Sequence, residues 1–122
     1  MPFINDEVFD QGLDYADTNG TRIDICSSEP ATYAGIAAVT LGNATVNTGA
    51  TQNGAPDGRR VIVPAITTGS VTGTGTATHW ALSNGTAILV ATGPLSASQA
   101  VTSGNTFTLD AISITIRDAT AV

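Results

Sequence analysis

The chain has 122 residues, lacks lysine, and carries 10 acidic and 4 basic residues, which give a net charge of −6. This balance argues against a nucleic-acid binder, which needs a basic surface to displace counterions. No apolar run approaches the about 20 residues of a membrane span, and the single cysteine excludes an internal disulfide and a multi-cysteine zinc site. We expect one soluble domain over residues 1–122, made in the cytoplasm because the opening lacks the features of a signal peptide.

A short helix is predicted at residues 5–17. Asn5 is a suitable N-cap, and the acidic residues that follow it suit the positive end of the helix dipole. Apolar residues recur at helical spacing, at Phe9, Leu13 and Ala16, with Val8 beside them. Gly20 provides the stop signal. This helix is expected to be acidic outside and apolar inside, and to lie against an edge or end of a sheet.

The rest of the chain is predicted to be β-structure, because threonine and valine favour strands and scattered glycines favour turns and bulges. We place strands at residues 21–27, 37–46, 59–66, 71–82, 86–92 and 106–117, with a surface loop at 47–58. The first strand is expected to be half-buried, and the second region holds one or two weak strands. Pro64 belongs at an edge or a bulge. The last strand changes its alternation near Asp110, which indicates a β-bulge.

Asn84-Gly85 lies between two strands and predicts a type I′ hairpin turn, since both central residues of that turn need a positive φ. Counting outward from the turn pairs Ser83 with Thr86, Trp80 with Leu89 and His79 with Val90. Both faces of the hairpin then carry apolar pairs, whereas a sheet with one wet face alternates more cleanly. One face is therefore expected to pack in the core of the domain, and the other against another sheet or another chain.

The two faces of this hairpin can be assigned from its largest side chain. We place Trp80 on the inward face, because a tryptophan contributes most when its large apolar area is buried. The opposite face, which we expect to meet a neighbour, carries His79, Ala81, Ile88 and Val90.

One helix followed by seven or eight short strands predicts an all-β fold, a β-sandwich or jelly-roll-like domain with one short N-terminal helix. We divide it into an N-terminal arm and helix (1–20), β-strands (21–117) and a tail (118–122). The tail is either frayed or makes an intersubunit contact.

Candidate chemical groups are few, and we expect no catalytic, cofactor-binding or metal-binding residues. His79 is the only histidine and has no nucleophile motif near it, so a packed or interface histidine is the better interpretation. Cys26 is either a buried or edge thiol or, if exposed, one that forms an intermolecular disulfide. The acidic segment 14–21 lacks the closing glutamate of a calcium loop and is interpreted as a solvated helix face. Together with a low charge content, which a packed assembly surface allows, this favours a structural or binding role over an enzyme.

Three stretches carry a resemblance: PFINDEVFDQGLDYA, RIDICSSEPATYA, and the run from GTGTATHWALSNGTAILVATG to TFTLDAISITI, with its most specific part at residues 76–109. Together they resemble small structural proteins encoded in the head and tail gene clusters of tailed bacteriophages and prophages. The resemblance implies a virion component and carries over no catalytic residues.

Within that resemblance, a capsid decoration or cement protein is the leading hypothesis. Such a protein would be located in the virion, bind the major capsid protein, and form a homo-oligomer, with a trimer favoured. Its expected interface residues are Phe3 and Ile4 of the arm, His79, Ala81, Ile88 and Val90 of the hairpin, and Arg59 and Arg60, which either pair with an acidic neighbouring surface or form an ordinary exposed turn.

Two alternatives remain open. The first is a tail, collar or fibre component with a host-surface or glycan-binding role, in which Trp80 or Tyr33 stacks on a sugar. The second is a small hydrolase that uses His79.

Overall fold

The computed structural model describes residues 5–54 and 58–116. Its helices are α1 (Asp6–Asn19) and α2 (Tyr33–Val39). Its strands are β1 (Arg22–Cys26), β2 (Thr40–Thr45), β3 (Gln52–Asn53), β4 (Arg59–Val63), β5 (Ile66–Val71), β6 (Gly75–Ser83), β7 (Leu89–Val101), β8 (Thr106–Leu109) and β9 (Ile112–Ile116). The fold is all-β and sandwich-like with an N-terminal helix, as the sequence predicts.

The strands form two antiparallel sheets with one core between them. The larger sheet has the order β7-β6-β1-β2-β5-β8, and the smaller one has the order β3-β4-β9. Both sheets contribute to the main hydrophobic cluster, through residues such as Ile25, Leu82 and Phe107 of the large sheet and Val63 of the small one. The smaller sheet therefore covers one face of the larger.

Helix α1 forms as its sequence predicts. The Asn5 side chain accepts a hydrogen bond of 2.8 Å from the backbone N–H of Glu7, which confirms the N-cap. The apolar stripe is buried, at Phe9, Leu13 and Ala16. Val8 is not part of that buried face, since it is 62% exposed. Adjacent helical residues are rotated by about 100°, which turns Val8 away from the side that Phe9 buries.

Strand β1 is buried on both faces, so the prediction of a half-buried strand is wrong. It lies between β6 and β2 in the large sheet. One of its faces packs in the main core through Ile23 and Ile25. The other face is covered by α2, where Cys26 contacts Ile36. The alternation of apolar and polar residues in β1 predicted an exposed polar face. That face is buried because helix α2 covers it.

Helix α2 replaces the first part of the strand region predicted at residues 37–46. Its N-cap is Thr32, whose hydroxyl accepts a 3.1 Å hydrogen bond from the backbone N–H of Gly35. Alanine favours helix over strand, and only Ile36 of this helix is fully buried. Strand β2 begins immediately after it at Thr40.

The chain passes between the two sheets three times among the described strands, once through residues 46–51 between β2 and β3 and twice at neighbouring short breaks. Strands β4 and β5 are separated by Pro64 and Ala65, and strands β8 and β9 by Asp110 and Ala111. At both places the chain leaves one sheet and enters the other. The change of alternation at Asp110 is therefore a break between two strands rather than a bulge within one, and Pro64 lies at the other break.

Candidate functional site

The β6–β7 hairpin forms, but its register differs from the predicted one. Ser83 pairs with Leu89, Trp80 with Gly93 and His79 with Pro94. Only Gly85 in the loop has a positive φ, of 78°, so the type I′ turn is absent. Instead the Asn84 side-chain oxygen accepts backbone hydrogen bonds of 2.8 to 2.9 Å from three residues, Thr86, Ala87 and Ile88. Asparagine favours such local bonds, and here they lengthen the loop to five residues and shift the register.

Trp80 faces inward, as predicted, and is 9% exposed in the main core. Its cross-strand partner is Gly93, where an added Cβ would lie only 2.8 Å from the indole ring. A side chain at position 93 would therefore displace the tryptophan.

The opposite face of the hairpin is largely covered by the protein itself. Ala81 is 0% exposed and packs with Cys26 and Ile36 beneath α2, so it offers no surface to another chain. Leu89 packs against this same cluster, whereas Val90, which was expected on this face, is half-buried and packs against the main core that holds Trp80. The prediction for Ala81 is therefore wrong, because helix α2 occupies the place expected for a neighbour.

The remaining predicted interface residues lie in different places. His79 and Ile88 are half-buried, and the His79 Nδ1 atom is 2.9 Å from the Thr78 hydroxyl. Phe3 and Ile4 lie outside the described residues. An interface role for these four stays a prediction.

The two neighbouring arginines of β4 differ in their contacts. Arg59 forms an ion pair of 2.8 Å with Asp10 of α1 and donates a 2.7 Å hydrogen bond to Asn53. Arg60 lies beside it in the small sheet, paired with Thr115. The Nε atom of Arg60 is buried without a hydrogen-bond partner within residues 5–54 and 58–116. Arg59 thus binds within its own chain, and an intermolecular role for either arginine stays a prediction.

A cleft of about 340 Å³ lies between α2 and the large sheet. Arg22 and Asp24 enter it from β1, where residues two apart share a face. Tyr33, Ala34, Ile36 and Ala37 line it from α2, and Thr40 lines it from the start of β2. Tertiary packing of α2 thus assembles a pocket from two charged groups, an aromatic ring and an alanine-rich wall.

A buried carboxylate fixes the charged side of this cleft. The Asp24 side chain is 1% exposed and accepts hydrogen bonds from Arg22 Nε at 3.0 Å and Arg22 Nη2 at 3.2 Å. The Thr40 hydroxyl donates a third bond of 2.8 Å to the same carboxylate. Hydrogen bonding to Asp24 raises the pKa of the Arg22 guanidinium, burial opposes that rise, and Tyr33 adds to it. Arg22 is therefore held charged in a single orientation, with its side chain 40% exposed.

The sequence contained part of the signal for this cleft. Arg22 and Asp24 alternate with Ile23 and Ile25, so their common face was predictable. Tyr33 and Thr40 were not placed there, because their position depends on α2.

A second feature concerns charge, and the sequence alone could have shown it. Between Arg60 and Asp110 there is no Asp, Glu, Lys or Arg. These residues form β5, β6, β7 and β8, which include both outer strands of the large sheet. The acidic residues of α1 lie on the part of the chain before this stretch. Strands β5 to β8 therefore carry no Asp, Glu, Lys or Arg, and these include both outer strands of the large sheet, β7 and β8.

The Cys26 thiol is expected to be unreactive in the folded protein. It is 0% exposed, and burial, helped by the charge of Asp24, raises its pKa to about 12. The thiol therefore stays protonated at pH 8, and a disulfide reagent should react at least about a thousandfold more slowly with the folded than with the guanidinium-unfolded protein. Rapid native labelling, or a disulfide-linked dimer on a non-reducing gel, would contradict this.

The described residues form neither a metal-binding group of three or more His, Cys, Asp or Glu side chains nor a membrane-spanning helix. Asp14 and Asp17 of the segment weighed as a calcium loop lie within α1. No helix of the described chain is long and apolar enough to cross a membrane.

Comparison with known proteins gives no relative. No protein-family model matches the chain. No curated protein and no solved structure matches it either. The likeness to phage structural proteins consequently rests on the sequence stretches quoted above and leads only to a proposal.

Proposed function

We propose that the protein is a structural component of a tailed-bacteriophage virion. Its most direct role is that of a decoration or cement protein, which binds the major capsid protein on the outer shell. It would do so as a homo-oligomer, with a trimer favoured. The observation that supports this best is the uncharged stretch between Arg60 and Asp110, which forms both outer strands of the large sheet. The sequence resemblance supports the same class of protein.

The charge distribution suits repeated contacts between copies. Each copy has a net charge of −6, so two copies repel one another wherever their acidic surfaces meet. Interface cores are depleted in charged residues. Contact through the uncharged strands avoids both the repulsion and the desolvation of charged groups.

Strand β7 offers the longer uncharged edge. Soluble proteins protect such edges with charged residues, with proline or with bulges. The second part of β7 has this protection, because Pro94 is followed by four residues, 95–98, that bulge out opposite Thr78. The first part, Leu89–Gly93, pairs only with β6 among the described strands and carries no charge. We place the contact along this part.

Quantitative mass spectrometry of purified virions tests the proposal. A copy number comparable to that of the major capsid protein is expected for a decoration protein. A handful of copies per particle would move the protein to the tail, collar or fibre, and its absence from virions would reject a structural role.

A charge placed on the β7 edge is expected to weaken assembly. Thr92→Lys adds a cation within Leu89–Gly93, and a buried unpaired charge should reduce shell occupancy or self-association at least about tenfold. Thr68→Lys is the matched control, because Thr68 is exposed on β5, which three strands of the large sheet separate from β7. Light scattering and capsid co-sedimentation measure both variants. Equal behaviour of the two would exclude the β7 edge as the contact.

A further inference from the structure

We propose that the cleft between α2 and β1 is a binding site for a neutral sugar, formed by the Arg22 guanidinium, the Tyr33 ring and the alanines of α2. This goes beyond the proposed virion role and does not depend on where in the particle the protein sits.

Arg22 presents an unused fork of donors at the cleft. Its Nε and Nη2 atoms are bonded to Asp24, and within the described chain the guanidinium makes no other hydrogen bond. An arginine has five N–H donors, so the edge formed by Nη1 and the second N–H of Nη2 remains available. Two adjacent hydroxyl oxygens of a sugar fit such a planar fork. Asp24 keeps the fork in place, so little side-chain entropy is lost on binding.

The apolar wall of the cleft suits the other side of a sugar ring. Tyr33 lines the cleft and is half-buried, while Ala34 and Ala37 lie at its exposed rim. Aromatic rings combine a flat apolar body with a polar tip, which matches the C–H faces and hydroxyls of a sugar. A cleft of about 340 Å³ lies at the lower end of the roughly 300 to 1,000 Å³ typical of small-molecule sites. One or two sugar rings are therefore the expected size of ligand.

The charge of the cleft favours a neutral ligand over an anionic one. The positive charge of Arg22 is already balanced by Asp24, with a separation of 3.0 Å between their nearest atoms. A carboxylate or phosphate would add an unbalanced negative charge to a chain whose net charge is −6. Sugar hydroxyls use the same donors without that cost.

Trp80 takes no part in this site. It is 9% exposed and packs against Gly93 in the main core, so little of its ring is open for stacking on a sugar. Trp80 lines a different cleft, of about 260 Å³, beside residues 94–99 of β7, whereas Tyr33 lines the cleft beneath α2.

The test is a titration of the full chain with the methyl glycosides of glucose, galactose, mannose and rhamnose, followed by saturation-transfer NMR and calorimetry. At least one is expected to bind with a dissociation constant near the millimolar range. Glucuronic acid and inorganic phosphate are the anionic probes and are expected to bind more weakly.

Three variants locate the site. Tyr33→Ala is expected to weaken binding at least about tenfold, and Tyr33→Phe by no more than about threefold, because the ring remains. Ala37→Trp should fill the cleft and abolish binding. If circular dichroism shows that Tyr33→Ala is unfolded, Ala37→Trp alone tests whether the sugar binds in this cleft. Tyr15→Ala is the control, since Tyr15 is 53% exposed on α1, outside the cleft.

Several results would overturn the sugar site while leaving the virion proposal untouched. These are no binding of any neutral glycoside at tens of millimolar, tighter binding of phosphate or glucuronic acid, and binding that survives both Tyr33→Ala and Ala37→Trp.

Discussion

Alanine at Gly93 is expected to lower the free energy of unfolding by about 1–3 kcal/mol, because the added Cβ would overpack a filled core. Its Cβ would lie 2.8 Å from the Trp80 ring. Trp80→Ala should cost about 3–5 kcal/mol, as expected for a large buried side chain. In the double variant the missing ring makes room for the new methyl group. The combined loss should therefore be smaller than the sum of the single losses by about 1–2 kcal/mol.

Urea unfolding of the four proteins in this cycle measures the coupling. Gly49→Ala is the matched control, because a Cβ at Gly49 meets no atom of the described residues within 4 Å and should change stability by less than about 0.5 kcal/mol. Additive losses would contradict the Trp80–Gly93 pairing. They would instead favour a register in which Trp80 lies opposite another residue.

Removing Arg22 is expected to destabilise the protein more than removing the charge of Asp24. Arg22→Met leaves a carboxylate that is 1% exposed and that, among the described residues, retains only the Thr40 hydroxyl as a side-chain partner, which should cost about 3–5 kcal/mol. Asp24→Asn leaves an arginine that is 40% exposed and can turn toward water, so the loss should be only about 1–2 kcal/mol. The order follows from which charge remains buried.

Chemical denaturation at neutral pH measures this asymmetry. The double variant Arg22→Met/Asp24→Asn should be more stable than Arg22→Met alone, because no buried charge is left. Thr40→Val removes a single hydrogen bond to the carboxylate and is expected to cost about 1 kcal/mol, which calibrates the scale. Equal losses for the two single variants, or a larger loss for Asp24→Asn, would show that the pair is open to solvent.

Local signals explain which elements could be predicted from the sequence. Helix α1 has an N-cap at Asn5 and an apolar stripe within one segment, so its sequence was sufficient. Helix α2 has one fully buried residue, Ile36, and its apolar alanines gave no clear period. The same local rule misled at the hairpin. Asparagine is a residue type that favours type I′ turns, but the Asn84 side chain accepts hydrogen bonds from three backbone N–H groups and so stabilises a longer loop.

The candidate sites divide in the same way. The uncharged stretch before Asp110 and the common face of Arg22 and Asp24 were present in the sequence. The cleft was not, because Tyr33 reaches it only when α2 packs on β1. Burial of Ala81 by that same helix is a tertiary effect, which alternation along β6 could not reveal.

The paired crossings between the sheets have a mechanical consequence. Val63 pairs with Ile112 just before them in the small sheet, and Ile66 pairs with Leu109 just after them in the large one. Residues 63–66 and residues 109–112 therefore run side by side, in opposite directions, from one sheet to the other. Tension applied to the small sheet passes into the large sheet through both segments at once. Separating the small sheet from the large one would require both segments to detach at the same time. Such an arrangement suits a protein that must keep its shape under mechanical force.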